Sequence, residues 1–221
     1  MLPAANVGGD YYDVLPTEDG CWIGIGDVSG HGLLAGILML MIQSMIAGIQ
    51  SMNPRARPAE VITAVNAALF QNVRYRLKRD DYATLTLFRY ERSGRLTFAG
   101  CHEDLLVCRA RSRRCEPVPT PGVWTAAVAD VSKLTQDAEL ELADGDLLVL
   151  YTDGVTEAIN DQRELFGLDR LAALIEEHQS RDVAEICAAV VAAVTAWAPL
   201  QADDVSLVVG RHTASAKGTP R

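Results

Sequence analysis

Cys21-Trp22-Ile23-Gly24-Ile25-Gly26-Asp27-Val28-Ser29-Gly30-His31-Gly32 reads as an apolar strand that runs into a glycine-rich acidic turn, after which Leu33 opens a long apolar segment. Glycine lets the backbone bend sharply and come close to a ligand, so Asp27 stands at a strand end that is open to approach. The same arrangement recurs in Gly8-Gly9-Asp10-Tyr11-Tyr12-Asp13 and in Tyr151-Thr152-Asp153-Gly154, and Asp203-Asp204 precedes the last apolar run. Carboxylates at the edges of strand-like runs predict that these acids gather at one end of a sheet structure. Drawn together, they would repel one another strongly unless hard cations such as Mg²⁺ or Mn²⁺ sat among them. Two such ions about 3.5–4 Å apart activate water against a phosphoryl group.

Working outward from that stretch, Thr17-Glu18-Asp19-Gly20 reads as a hairpin turn before the strand. Residues 33–49 predict a helix that is apolar on nearly every side and so in contact on more than one face. Pro54 and Pro58 mark a loop, and Val61, Ile62, Val65, Ala68 and Leu69 then recur at three- and four-residue intervals, predicting an amphipathic helix over 59–77 that lies on the sheet. Residues 82–90, 95–99, 104–109 and 115–119 read as a meander of short antiparallel strands, followed by strands over 139–142 and 146–152 around the turn Ala143-Asp144-Gly145. Helices over 168–178 and 182–198, the second stopped by Pro199, and a strand over 205–210 complete the pattern. Without regular β-α alternation this is an α+β chain. The expected architecture is two antiparallel sheets flanked by helix pairs, with a flexible tail over 212–221.

With 221 residues, of which 49% are hydrophobic, the chain is long enough for one large domain. Its formal charge of −9 and lack of a basic run argue against a nucleic-acid partner and suit a cation site. Cys21, Cys101, Cys108, Cys115 and Cys187 are odd in number and lack zinc-clip spacing, so they are read as ordinary half-buried positions in a reducing, cytoplasmic setting. No secretory signal opens the sequence. The apolar stretch over 33–49 contains Gln43 and Ser44 and falls just short of the ~18 consecutive apolar residues that suggest a span, so a core helix rather than membrane insertion is expected. Trp22, Trp124, Trp197 and the methionine-rich residues 39–45 are also expected in the core. Ala99-Gly100-Cys101-His102-Glu103-Asp104 looks like a ligand cluster, but alternation along a strand splits it between two faces, and a polar hairpin tip is the expected reading.

Together, Val7-Gly8-Gly9-Asp10-Tyr11-Tyr12-Asp13, Gly26-Asp27-Val28-Ser29-Gly30-His31-Gly32, Tyr151-Thr152-Asp153-Gly154-Val155-Thr156-Glu157-Ala158 and Asp203-Asp204-Val205-Ser206-Leu207 resemble the PPM, or type-2C, metal-dependent serine/threonine protein phosphatases, in their bacterial stage II sporulation protein E branch. The resemblance covers residues 6–211 and implies a PPM-type catalytic domain over 1–211, an α-β-β-α sandwich with two Mn²⁺ or Mg²⁺ ions at one end. It implies that Asp27 bridges the ions, that Asp10 and the Val28 carbonyl hold one, and that Asp153 and Asp203 hold the other. Asp13, Ser29, His31 and Asp204 fall in supporting positions. His31 stands two residues beyond the position of the eukaryotic branch's catalytic His, so a turn-stabilising or supporting role is expected for it. The implied reaction is hydrolysis of phosphoserine or phosphothreonine by metal-activated water, without a covalent intermediate. The implied partner is a phosphoprotein of the anti-sigma-factor antagonist type.

The branch implies further features. A sensor or receiver domain is expected upstream, a homodimer is admissible, and the methionine-rich helix is a candidate switch that completes or disrupts the metal site. Only nine residues precede Asp10, so an N-terminal edge strand of the family is expected to be missing. A catalytically weak, phosphatase-like binding module is the alternative. A nucleotide phosphatase is disfavoured by the lack of a Walker-type loop.

Overall fold

The computed structural model describes residues 8–200 and 203–214. In chain order the elements are β1 (Asp10–Pro16), β2 (Gly20–Val28), α1 (Leu33–Met52), α2 (Pro58–Phe70), a π-helical continuation (Gln71–Leu77), β3 (Ala83–Glu91), β4 (Arg95–Cys101), β5 (Leu105–Arg109), β6 (Arg114–Val118), β7 (Ala138–Glu141), β8 (Leu147–Tyr151), the short α3 (Asp153–Thr156), α4 (Gly167–His178), α5 (Val183–Trp197) and β9 (Leu207–Arg211). The strands form two sheets, ordered β1-β2-β3-β4-β7 and β6-β5-β8-β9, with every named pair antiparallel.

Side-chain alternation along the strands explains the layering. Leu85 and Leu87 of β3 face α1 and α2, where they pack with Leu38, Ile42, Ile46, Val61, Val65 and Leu69. Phe88 points the other way and joins Ile23, Ile25, Phe98, Val107, Leu148 and Leu150 between the sheets. On the far side Val149 and Tyr151 meet Leu171, Ile175, Ile186 and Val190 of α4 and α5. Strand β8 is therefore buried on both faces, which is why its sequence is an unbroken apolar run. The expected two-sheet α+β sandwich is the observed one.

Several local expectations differ from the structure. The presumed meander is divided, because β3 and β4 stay in the first sheet while the chain crosses at residues 102–104 to place β5 and β6 in the second. Helix α1 is long and apolar enough to cross a membrane by length and composition. In the fold one face, including Leu38, Ile42 and Ile46, packs on the first sheet, while Leu33, Ile37, Leu40 and Met52 remain exposed. Within this chain the helix is thus covered on one side only.

Residues 212–214, expected to open the tail, include contacts with the fold. His212 is buried, its Nδ1 lies 2.7 Å from the Tyr90 hydroxyl, and its backbone N–H donates to the Asp146 carbonyl. The Ala214 N–H donates to Asp144 Oδ1. Val7, the first residue of the first motif, and residues 215–221 of the expected tail lie outside the described residues. Cys108 and Cys115, read as ordinary unpaired positions, stand directly opposite each other across β5 and β6 and are joined as a disulfide. Their seven-residue spacing is the reach of that hairpin.

Candidate metal centre

The strand ends bring the acidic motifs together. Asp10 opens β1 and Asp27 stands next to the end of β2, and the register places the two directly opposite each other. Directly opposed like charges in an antiparallel pair destabilise it, so the arrangement calls for a compensating cation. Asp153 follows β8 with only Thr152 between, and Asp203 and Asp204 precede β9, its neighbour. Two polar links tie the sheets at this end. The Gly9 N–H donates to Asp204 Oδ2 at 2.8 Å, and the Thr152 hydroxyl donates to Asp10 Oδ2 at 2.9 Å while accepting from the Ser206 N–H. Glycine at 154 is required by packing, since a Cβ there would run into the Asp204 carbonyl.

The electrostatics follow from this crowding. Burial, followed by the charges of Asp10, Asp153, Asp203 and Asp204, pushes Asp27 up to about 8. Burial also raises Asp10 to about 7, against the opposing hydrogen bond from Thr152. Asp153 is raised by burial and then by Asp203 and Glu157. A recess of about 280 Å³ opens at this end, walled by Asp27, Thr84, His102, Glu103 and Asp153, with Ser29, Tyr82 and Trp124 along its rim, and among the described residues neither Lys nor Arg lines it. A larger cavity near Leu15, Gln50 and Arg89 contains none of the metal-motif acids.

The donors are acidic oxygens, and burial, followed by the neighbouring carboxylates, favours the protonated form of Asp10 and Asp27; such a donor set suits Mg²⁺ or Mn²⁺. Among the described residues no three His, Cys, Asp or Glu side chains already stand at ligating spacing. Cations would have to draw the carboxylates inward.

The expected site residues are placed unequally. Asp10, Asp27, Asp153, Asp203 and Asp204 share the cluster, as their mutual electrostatic influence records. Asp204 is buried and bonded to the Gly9 N–H. The Val28 N–H donates to the Gly9 carbonyl, keeping the Val28 backbone beside the first motif. Asp13, expected in support, is turned away: three residues beyond Asp10 on the strand, it faces α1 and accepts from Gln43 Nε2 and from the Val14 N–H. Ser29 exchanges hydrogen bonds with Tyr82, donating its N–H to the Tyr82 carbonyl and accepting the Tyr82 N–H on Oγ. His31 is exposed in the loop after β2 and does not line the recess.

Two features escaped the sequence. Trp124, expected in the core like the buried Trp22, is 47% exposed and stacks on Tyr82 with ring centroids 4.7 Å apart. His102, read as part of a hairpin tip, bridges the sheets. Desolvation lowers its pKa to about 4, so the ring is neutral at pH 7. Its Nε2 lies 3.0 Å from the Tyr151 carbonyl and must donate to it, so Nδ1 accepts from the Thr84 hydroxyl at 2.8 Å. That hydroxyl in turn accepts the Asp27 N–H at 3.0 Å. A continuous chain thus joins the backbone of Asp27 to the residue two before Asp153. The signal in the sequence was the polar run Cys101-His102-Glu103-Asp104 between two apolar strands.

His102→Ala leaves buried partners unsatisfied and is expected to lower unfolding free energy by about 1–3 kcal/mol in denaturant titrations. A loss below about 0.5 kcal/mol would show that the bridge contributes nothing.

Comparison with known proteins adds family and fold. The profile of the stage II sporulation protein E (SpoIIE) family matches residues 17–213. Phosphoserine phosphatase RsbU of Bacillus subtilis is 27% identical over 216 residues, covering 96% of this chain and 61% of that protein. The chain therefore spans about three fifths of that relative's length. The SiaA-PP2C domain of Pseudomonas aeruginosa superposes with a TM-score of 0.77 at 22% identity, covering 95% of this chain and 82% of that one. The catalytic domain of serine threonine protein phosphatase PstP, solved in complex with two manganese ions, superposes with a TM-score of 0.66 at 15% identity, over 95% and 93% of the two chains. At these identities the structural likenesses show the fold.

Proposed function

The chain belongs to the stage II sporulation protein E family, and we propose that it is a Mn²⁺- or Mg²⁺-dependent phosphatase acting on phosphoserine or phosphothreonine of a partner protein. One observation carries the reading: Asp10 and Asp27 oppose each other across β1 and β2, and Asp153 joins Asp27 from the second sheet at a recess that no Lys or Arg among the described residues lines. In this proposal Asp27 would serve both ions, Asp10 and the Val28 carbonyl would help hold one, and Asp153 and Asp203 would help hold the other. Bound there, the ions would lower the pKa of water and offset charge on the phosphoryl oxygens.

The chain's own residues hold this arrangement. Thr152 orients the Asp10 carboxylate by its hydrogen bond, Asp204 fixes the Gly9 backbone, and the His102–Thr84 link fixes the Asp27 backbone. Among the described residues lining the recess there is no acid–base-activated Ser or Cys nucleophile: Ser29 Oγ accepts the Tyr82 N–H and no thiol lines the wall. This supports direct attack by water, without a covalent intermediate.

For substrate we propose a phosphoprotein of the anti-sigma-factor antagonist type, met in the cytoplasm under the control of a sensor or receiver domain in the longer protein. The family and the phosphoserine phosphatase relative support that reading. A second reading, a weak phosphatase-like binding module, is favoured by the lack of a preformed ligand cluster among the described residues. Phosphate release from a phosphoserine protein decides between them. It is expected with millimolar Mn²⁺ and absent in excess chelator. Tight phosphoprotein binding with no release at saturating Mn²⁺ would establish the second reading, and release that persists in chelator would overturn the metal mechanism.

A further inference from the structure

The stacked pair Tyr82 and Trp124 has no part in holding the acids, yet it stands on the rim of the same recess as Asp27, Glu103 and Asp153. The rings are nearly parallel, 9° apart, so each covers one face of the other while Trp124 remains 47% exposed. An exposed indole on a surface loop is ordinarily free to move, but the backbone directly after this one is pinned. Thr125, its neighbour, exchanges both backbone hydrogen bonds with Ala83 at 2.7 and 2.9 Å. The Ala126 N–H donates to Oδ1 of the buried Asn66 on α2, whose Nδ2 donates to the Val128 carbonyl. Tyr82 is held by its two hydrogen bonds with Ser29, two residues after Asp27. The aromatic ledge is therefore fixed relative to the acidic strand end.

A flat π-face, negative above the ring plane, in the same recess as a half-buried carboxylate and with no Lys or Arg among the described residues that line it, has the chemistry that receives a cation. Glu103 lies outside the set proposed to hold the metal ions, so its charge is available to such a group. We propose that Trp124, stacked on Tyr82 and lining the same recess as Glu103, is a specificity subsite for the guanidinium or ammonium group of a substrate residue flanking the phosphoserine. This deepens the phosphatase reading and rests on it. The subsite selects among phosphoproteins by the residues around the phosphate, while the acids at the strand ends act on the phosphate itself.

The test compares phosphoserine peptides that differ only in carrying Arg, Ala or Leu at successive positions on either side of the phosphoserine. Values of kcat/KM in Mn²⁺ are measured for the wild-type chain, Trp124→Leu and Glu103→Gln, with p-nitrophenyl phosphate, which has no flanking residue, as the reference substrate. At one position the wild type is expected to favour Arg over Ala by roughly 3- to 30-fold, and Trp124→Leu to bring that ratio close to one. Glu103→Gln should reduce the ratio and make what remains less sensitive to salt. Because each ratio is taken within one protein, a general loss of activity in a variant does not disturb it. No Arg preference in the wild type, an equal preference for Leu, or a preference that survives Trp124→Leu would overturn the subsite. Failure of the phosphatase reading appears separately, as no turnover of either peptides or p-nitrophenyl phosphate. In that event the same Arg-to-Ala ratio is read from fluorescence-polarisation binding of labelled peptides to the wild type and Trp124→Leu, with the same outcomes supporting or overturning the proposal.

Discussion

Asp27→Asn is expected to abolish phosphate release, by about 10²–10³-fold or more, while making the cation-free protein more stable at alkaline pH. The two effects have one origin. Asp27 sits opposite Asp10 in the β-ladder and feels Asp153, Asp203 and Asp204 as well, so burial and repulsion push its pKa up to about 8. An amide of nearly the same shape removes that repulsion but supplies neither the charge nor the second anionic oxygen needed to share a pair of divalent ions. Melting curves at pH 9 in chelator should place Asp27→Asn above the wild type, and the two should converge below about pH 4. Asp27→Asn melting below the wild type at both pH values would mean that the carboxylate is stabilising in its own right and that the crowding argument is wrong.

In the absence of divalent cations, the wild-type chain should lose stability as pH rises from about 6 to 9. Asp10 and Asp27 titrate near 7 and 8 in the fold against an ordinary value of 3.8. The folded state therefore holds these protons more tightly than the unfolded chain. The associated stabilisation is complete below pH 4 and is lost as pH rises through 7 and 8. Mn²⁺ should reverse the loss, since a ligand that binds only the folded state at a hundred times its Kd adds about 2.7 kcal/mol. In a domain of this size that is on the order of 5–10 °C in Tm. Melting temperatures at pH 6 and 9, with Mn²⁺ and with chelator, check both statements. A chain equally stable at the two pH values without metal, or unmoved by Mn²⁺ at pH 9, would contradict them.

What could be read in advance was set by local chemistry. Asp10, Asp27 and Asp153 were legible because each stands beside glycines at the edge of an apolar run, a pattern that needs no knowledge of distant contacts. The two-sheet sandwich was legible because strand and helix periodicities differ, and because the four motifs resembled those of one phosphatase branch. The role of His102 was hidden, since its partners Thr84 and Tyr151 are brought to it only when the chain crosses between sheets. Trp124 was assigned to the core by residue type, whereas the Ala83–Thr125 bridge holds it at the surface. Asp13, given a supporting position by its motif, is turned to the other face by its odd spacing from Asp10 along the strand, which only the packing of α1 makes visible. Cys108 and Cys115 could be paired only after the register of β5 and β6 was known.

The central claim is that carboxylates from both sheets hold divalent cations in common. Calorimetric titration of Mn²⁺ at pH 8 into the wild-type chain and into Asp27→Asn and Asp153→Asn tests it most directly. Saturable binding to the wild type, lost or weakened at least about tenfold in both variants, is the predicted result. Binding to both variants that matches the wild type in affinity and stoichiometry would contradict it.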